Sequence, residues 1–262
     1  MKTRAIHTVF ARNHRFMQQD QEKIKPEVVD YEFGAEGYRD VSNYDKRYTG
    51  APNEYRQKVM ESAYRGLISG LQGKHLLDVG CGSGRGIVGL APEANFAVGC
   101  DASQDMLSVT GRKLNATAHW GLARAVAQQL PFSSNSFDVV ISLNFLHLFS
   151  LETQREMIRE MKRVTKPGGS LVLEFDNALH GFGVVGLFKR YFRDERGTLP
   201  WEARYVLGDD CRTVTVRSAV IPIAWRLFYH APVIFLPFEK ISYLPVLNRV
   251  LGHRIYYHLA KP

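Results

Sequence analysis

The chain is poor in cysteine and has no long hydrophobic run. Its three cysteines, Cys81, Cys100 and Cys211, are odd in number and include no C-x-x-C pair, which argues against a disulfide framework and a zinc ribbon and for a reduced, cytoplasmic setting. No stretch approaches the roughly 18 apolar residues that a membrane-spanning helix needs. The opening Met1-Lys2-Thr3-Arg4-Ala5-Ile6-His7 lacks the apolar centre of a secretory signal. Paired carboxylates, a metal-ligand cluster and the spacing of a Ser/His/Asp triad are also missing, so no metal is expected.

What is present is ordinary in bulk. The chain has 262 residues, of which 45% are hydrophobic and 23% charged, and that suits one globular α/β domain with added segments. The formal charge of +8 is uneven, with 12 Lys or Arg against 6 Asp or Glu between Ala178 and Pro262. Such a surplus can meet nucleic acid, an anionic membrane surface or an acidic substrate. Dispersed as it is here, it also reads as solvated surface.

The most informative stretch is Leu76-Leu77-Asp78-Val79-Gly80-Cys81-Gly82-Ser83-Gly84-Arg85-Gly86. A short buried strand carrying an acid breaks into a turn with glycine at every second position, and Ile87 to Leu90 then begin a helix that Pro92 cuts short. Without β-carbons such a turn lets the backbone approach a nucleotide at the carboxyl end of a sheet. A dinucleotide fingerprint can be drawn through Gly84, Gly86 and Gly89, but its first glycine belongs where the strand ends, and this strand ends four residues earlier. Phe96 to Asp101 reads as a second strand, and Asp101 follows Gly80 by 21 residues. An acid there accepts hydrogen bonds from ribose hydroxyls. Ser136 to Asn144 is a further buried strand, Leu151 to Val164 an amphipathic helix, and Ser170 to Phe175 another strand entered through a Lys166-Pro167-Gly168-Gly169 turn.

Four of these segments resemble class I S-adenosylmethionine-dependent methyltransferases. Leu76 to Gly84 resembles motif I. Asp101-Ala102-Ser103-Gln104-Asp105-Met106-Leu107 resembles the D-x-S-x-x-M-L segment, and Ala125 to Phe132 resembles the D-A-x-x-L-P-F segment, with Val126 where the family has an acid. Arg163 to Gly169, leading into a strand, matches the helix, K-P-G-G and strand arrangement in order and distance. The resemblance covers about Tyr55 to Phe175 and is nearest to the small-molecule branch that includes ubiquinone and menaquinone methyltransferases. It implies a doubly wound, Rossmann-like α/β sheet of about seven strands, mostly parallel with an antiparallel last strand and with helices on both faces.

The resemblance also implies S-adenosyl-L-methionine as cofactor. It carries over Asp78, Gly80, Cys81, Gly82 and Gly84 at the methionine and ribose end, with Asp101 and Ala102 at the ribose. Met106, Val126 and Ala127 fall at the adenine. Asn144 falls near the sulfonium, and Tyr48 and Arg56 near the methionine carboxylate. His147, which follows Leu146 just past the fourth strand, becomes a candidate catalytic base.

The flanks match less closely. Residues 1–52 read as an N-terminal arm or lid, with tyrosines dense between Tyr38 and Tyr48. Residues 53–176 read as the cofactor-binding core, entered by a helix from Asn53 to Leu71 that Gly70 and Gly73 end. Residues 177–262 read as an acceptor-side insertion plus the C-terminal strands of the same domain. Those strands are expected at Arg212 to Val216, or near Ile221, and at Arg254 to Pro262. The aromatic, basic stretches Phe188 to Arg193 and Ile223 to Phe238 suit core, an apolar acceptor pocket or a peripheral lipid contact. The expected partner is a small, apolar acceptor of quinone, polyketide or fatty-acid type, methylated on O, N or C, and nucleic acid is disfavoured by the lack of a concentrated basic stripe. An RNA or protein methyltransferase, a non-catalytic cofactor-binding scaffold and a dinucleotide oxidoreductase stay open as alternatives. The sequence assigns no oligomeric state.

Overall fold

Apolar runs ending in polar residues become strands buried on both faces. The computed structural model describes residues 51–68, 70–114, 116, 118–179, 197–219 and 252–262, and within them seven strands form one sheet. These are β1 (His75–Val79), β2 (Phe96–Asp101), β3 (Trp120–Arg124), β4 (Phe137–Ser142), β5 (Thr165–Asp176), β6 (Arg212–Ala219) and β7 (Arg254–Ala260), in the order β3-β2-β1-β4-β5-β7-β6. β1 to β5 are parallel, and β7 lies antiparallel between β5 and β6. Every residue of β1 after His75 is buried, as is the interior of β2, the burial expected of parallel strands covered on both sides.

Among the described residues the helices are α1 (Ala51–Arg65), α2 (Ile87–Leu90), α3 (Gln104–Lys113), α4 (Leu151–Val164) and α5 (Pro200–Leu207). One core cluster joins Tyr64, Ile87, Leu90 and Leu107 to Leu76, Ala97, Val139, Val172 and Tyr256, so α1 to α3 pack on one face of the sheet. α4 packs against β5 and α5 and buries Met157, Ile158, Met161 and Val164, each worth about 1.5–3 kcal/mol of apolar burial.

Several boundaries differ from the sequence reading. The first helix stops at Arg65 and not at Leu71. Past its end Leu67 N–H bonds the Tyr64 carbonyl and Ile68 N–H that of Arg65, a tightened last turn, and Gly70 and Gly73 at positive φ then steer the chain into β1. Lys166-Pro167-Gly168-Gly169 is not a turn ahead of a strand. β5 already begins at Thr165, which pairs with Phe137, and the tetrapeptide is a kink inside the strand. The kink is held because Gly168 N–H donates to the Lys261 carbonyl, Lys261 N–H donates to that of Gly169, and Lys166 Nζ meets both Asp138 oxygens at 2.7 Å. The sixth strand runs on to Ala219, and the seventh ends at Ala260. Tyr38 to Tyr48, Phe188 to Arg193 and Ile223 to Phe238 lie outside the described residues.

The topology fixes where a ligand can enter. β1 has β2 on one side and β4 on the other, so the chain reverses its winding there and opens a crevice beyond the carboxyl ends of both strands. β7 runs the other way, so its first residue, Arg254, stands opposite Asp176, the last of β5. A strand start is thereby delivered to the crevice end of the sheet.

Candidate active site

The glycine turn sits at the mouth of β1 and is tied down by its neighbours. Gly80 N–H and Cys81 N–H both donate to the Cys100 carbonyl, at 2.9 and 3.0 Å. Gly80 has φ 71°, and a β-carbon there would stand 2.3 Å from the Phe145 ring, so only glycine fits. From α3, Thr110 Oγ1 donates to the Gly82 carbonyl at 2.7 Å and Lys113 Nζ to that of Ser83 at 2.9 Å. Asp78 Oδ2 accepts from Ile87 N–H at 3.0 Å, joining β1 to the start of α2. Burial pushes its carboxyl up to about 7, with the Ile87 N–H opposing. Cys81 and Cys100 are buried, and burial pushes both thiols up, which makes them inert packing groups.

Asp101 closes the second strand and grips the turn. Its Oδ2 accepts from Gly82 N–H at 2.8 Å and its Oδ1 from Ser103 N–H at 2.9 Å. Burial raises its carboxyl above the ordinary value against the pull of those N–H groups and that of Ala102. Ser103 caps α3 by accepting from Met106 N–H at 3.3 Å, and Met106 is fully buried. After β3, Ala125 N–H donates to the Asp101 carbonyl at 3.1 Å and Gln129 N–H to that of Val126 at 3.1 Å; Ala127 is buried. A clamp from α4 holds the end of this loop. Arg163 donates to the Leu130 carbonyl at 3.0 Å and the Phe132 carbonyl at 2.8 Å, while Glu160 pairs with Arg163 and accepts from Leu130 N–H at 3.0 Å.

These residues fit S-adenosylmethionine. An ionised carboxylate offers about four acceptor positions. The backbone takes two of them at Asp101, which leaves two for ribose hydroxyls. Where a β-carbon of Gly82 would lie, nothing comes within 4 Å. Beside it the Ser83 hydroxyl is buried without a partner among the described residues. The turn thus leaves both room and polar groups for a ligand.

A second polar group borders this turn through Phe145. Asn144 has φ 53°, a left-handed conformation that asparagine tolerates, and His147 lies in a short 3₁₀ turn just beyond. Arg254 reaches both of them. One terminal nitrogen is 3.1 Å from Asn144 Oδ1 and the other 3.4 Å from His147 Nδ1. The guanidinium is buried and pairs with Glu174 Oε1 at 3.3 Å and with Asp176. Burial lowers the arginine from its ordinary value, with Glu174 opposing. His147 Nδ1 stands 3.8 Å from Asp176 Oδ1. Burial pushes the imidazole well below its ordinary value, and Arg254, Arg85, His253 and Arg56 push the same way.

The residues singled out in the sequence thus divide between two adjoining places. Asp78, Gly80, Cys81, Gly82, Gly84, Asp101, Ala102 and Met106 form or border the turn, and Val126 and Ala127 lie in the loop tied to Asp101. Asn144 and His147 meet at Arg254. Arg56 is half-buried on α1, and its charge acts on His147 and Arg254, so it belongs beside that corner. Tyr48 is outside the described residues. Sequence reasoning missed Arg254, Glu174 and Asp176, the clamps from Thr110 and Lys113, and the Glu160–Arg163 pair. Glu174 left one trace, a charge inside the otherwise apolar run from Leu171 to Phe175.

Comparison with known proteins bears on the same residues. Residues 77–173 match the family described as Methyltransferase domain. The chain is 33% identical over 143 residues to a demethylmenaquinone methyltransferase of Bacillus licheniformis, covering 53% of this chain and 59% of that one. It is 38% identical over 140 residues to a demethylmenaquinone methyltransferase of Corynebacterium glutamicum, covering 51% and 54%. The chain thus spans between half and three-fifths of the length of these curated relatives. Among solved structures, a SAM-dependent methyltransferase of Thermotoga maritima superposes with a TM-score of 0.59 at 15% identity, over 86% of this chain and 97% of that one. A methyltransferase of Mesorhizobium loti superposes with a TM-score of 0.54 at 16% identity, over 77% and 97%. At that identity the likeness is one of fold.

Proposed function

We propose that this chain, whose residues 77–173 match the methyltransferase-domain family and which folds as a class I S-adenosylmethionine-dependent methyltransferase, methylates a small aromatic acceptor of quinone-like chemistry in its reduced, phenolic form. The observation that carries this is the contact at Phe145. Its ring packs on Gly80 of the turn, while its neighbours Asn144 and His147 meet Arg254. A cofactor in the turn and an oxygen-bearing acceptor at the polar corner would then sit side by side. Two relatives named for demethylmenaquinone favour a quinone-like acceptor over a fatty acid or polyketide.

S-adenosylmethionine supplies the methyl group on a positively charged sulfur. The chain's own work is to hold the parts in line with the reacting atoms about 3 Å apart and to keep water out. Asp101 takes the ribose with its two remaining acceptor positions, the backbone of Gly80 to Gly84 takes the methionine end, and Met106, Val126 and Ala127 flank the adenine. Val126 brings no side-chain acceptor to the adenine amino group, so base recognition falls to backbone.

The test pairs calorimetric titration of S-adenosylmethionine with methyl-labelled turnover on demethylmenaquinol, a simple fatty acid and bulk RNA. Binding with label entering only the quinol is the expected result. No cofactor binding, or label entering only RNA or co-purifying protein, overturns the proposal.

A further inference from the structure

Arg254 carries only donors, and that fixes the chemistry of the two side chains it touches. The atom of Asn144 that meets its guanidinium is Oδ1, at 3.1 Å, so the two N–H groups of Nδ2 are turned elsewhere. The atom of His147 that meets it is Nδ1, at 3.4 Å. A ring nitrogen facing a guanidinium must accept, so in a neutral imidazole the proton is on Nε2. Asp176 cannot reverse this, because at 3.8 Å from Nδ1 it is beyond hydrogen-bond range and is itself paired to Arg254. Neither Asn144 Nδ2 nor His147 Nε2 has a hydrogen-bond partner among the described residues. Neither is among the occluded polar atoms, and the His147 side chain keeps 19% exposure.

We propose that Asn144 Nδ2–H and His147 Nε2–H form a two-donor subsite for an oxyanion on the methyl acceptor, both donors set by the buried Arg254. His147 is then a hydrogen-bond donor and not the base that its place in the sequence suggests, and Arg254 is a positioning residue. The inference rests on the methyltransferase reading and narrows its substrate to an acceptor that arrives as a phenolate or enolate. The charges that act on His147, those of Arg254, Arg85, Arg56 and the His253 ring, favour an anion beside it, while the carboxylates of Glu174 and Asp176 are engaged by Arg254. The step then balances without a protein base. An electron pair from the acceptor's oxygen or its ortho carbon forms the bond to the methyl carbon, and the carbon–sulfur bond breaks with its pair left on sulfur. Anion and sulfonium become neutral products. For attack through carbon, the neutral dienone first formed gives its ring proton to solvent and its oxygen takes one back from solvent.

The purified full chain tests this in two ways that do not depend on turnover. Nitrogen-15 spectra of the histidines, with His147 assigned by its loss in His147→Gln, should show a protonated Nε2 and a bare Nδ1 at neutral pH. The absorbance of bound 4-nitrophenol should show the phenolate held in preference to the phenol. That preference should survive in His147→Gln, which still donates but has no basic nitrogen, and vanish in His147→Ala. On a phenolic acceptor, His147→Ala should lower kcat by about 10²–10³, the usual loss for one oxyanion donor, while His147→Gln stays within about tenfold of the parent. Arg254→Gln should invert the tautomer; since that variant leaves the buried Glu174 carboxylate and the half-buried Asp176 unpaired, His147→Gln decides if it fails to fold. A bare Nε2, or His147→Gln as impaired as His147→Ala in both probe binding and turnover, overturns the subsite. Failure to bind S-adenosylmethionine overturns the methyltransferase reading instead and leaves the nitrophenol result standing.

Discussion

Replacing Asp101 by asparagine changes almost no volume and should still break the site twice. Both carboxylate oxygens accept from backbone, Oδ2 from Gly82 at 2.8 Å and Oδ1 from Ser103 at 2.9 Å. An amide has one oxygen, so whichever way it is turned its NH₂ faces one of these N–H donors. One charge-assisted bond is lost outright, worth about 1.5–3 kcal/mol, and a buried donor is left without an acceptor. In a domain of this size each kcal/mol lowers the melting temperature by roughly 2–4 °C, so the protein without cofactor should melt lower by about 3–12 °C. The second break is at the ribose, where at least one of the two remaining acceptor positions goes. Together with the displaced Gly82 this should weaken S-adenosylmethionine binding by about 2–4 kcal/mol, or 30- to 1,000-fold in Kd. Calorimetric titration measures the second number and a thermal melt of the free protein the first. Unchanged affinity in Asp101→Asn would refute the assignment of the ribose to this carboxylate. Weakened binding with an unchanged melt would refute the claim that Asp101 grips the turn.

Two further substitutions probe the frame of the site. Asp78 has its carboxyl raised from 3.8 to about 7 by burial, so the folded state holds a proton that the unfolded chain has released. Its contribution is fully present below about pH 4 and is lost as the pH rises through 7, at most on the order of 4 kcal/mol. Urea midpoints should therefore fall between pH 5 and pH 8 in the parent and fall less in Asp78→Asn, whose oxygen can still accept from Ile87 N–H; equal slopes would refute the raised carboxyl. Arg163→Met removes the donors on the Leu130 and Phe132 carbonyls. With the side chain one-third exposed, water can replace part of the loss, so a cost of about 1–2 kcal/mol and a several-fold rise in the Kd for S-adenosylmethionine are expected. A melt and an affinity both equal to the parent would show that the loop after β3 is held by other contacts.

The parts of this molecule that could be read from sequence are those whose cause is local. Strand β2, α4 and the serine cap at Ser103 follow from apolar period, Pro and Gly positions, and a side chain that bonds three residues ahead. The glycine turn was legible because positive φ angles and a ring against Gly80 admit few other residues. The error at Lys166 to Gly169 shows the limit. Pro-Gly-Gly announces a turn, but what keeps this one inside a strand is pairing with Lys261, 92 residues beyond Gly169. Similarly, α1 stops early because the left-handed glycines follow Leu67, whose burial is satisfied equally well from a turn as from a helix.

The polar corner was illegible for a different reason, and the reason bears on its role. Asn144, His147, Glu174, Asp176 and Arg254 come from three separate segments, and only the antiparallel placement of β7 puts Arg254 opposite Asp176. Were β7 parallel to β5, its first residue would lie at the opposite end of the sheet and the buried Glu174 carboxylate would lose its counter-charge, a cost of several kcal/mol. A wholly structural cluster would gain from replacing such ions with apolar residues of similar volume. Here the ions sit at the crevice end and, in the proposed subsite, set the two donors, which a hydrophobic replacement could not do. A lone histidine after a strand looks like a base when read in isolation. With a guanidinium on its Nδ1 the same ring becomes a donor, so its chemistry is decided by a residue 107 positions away.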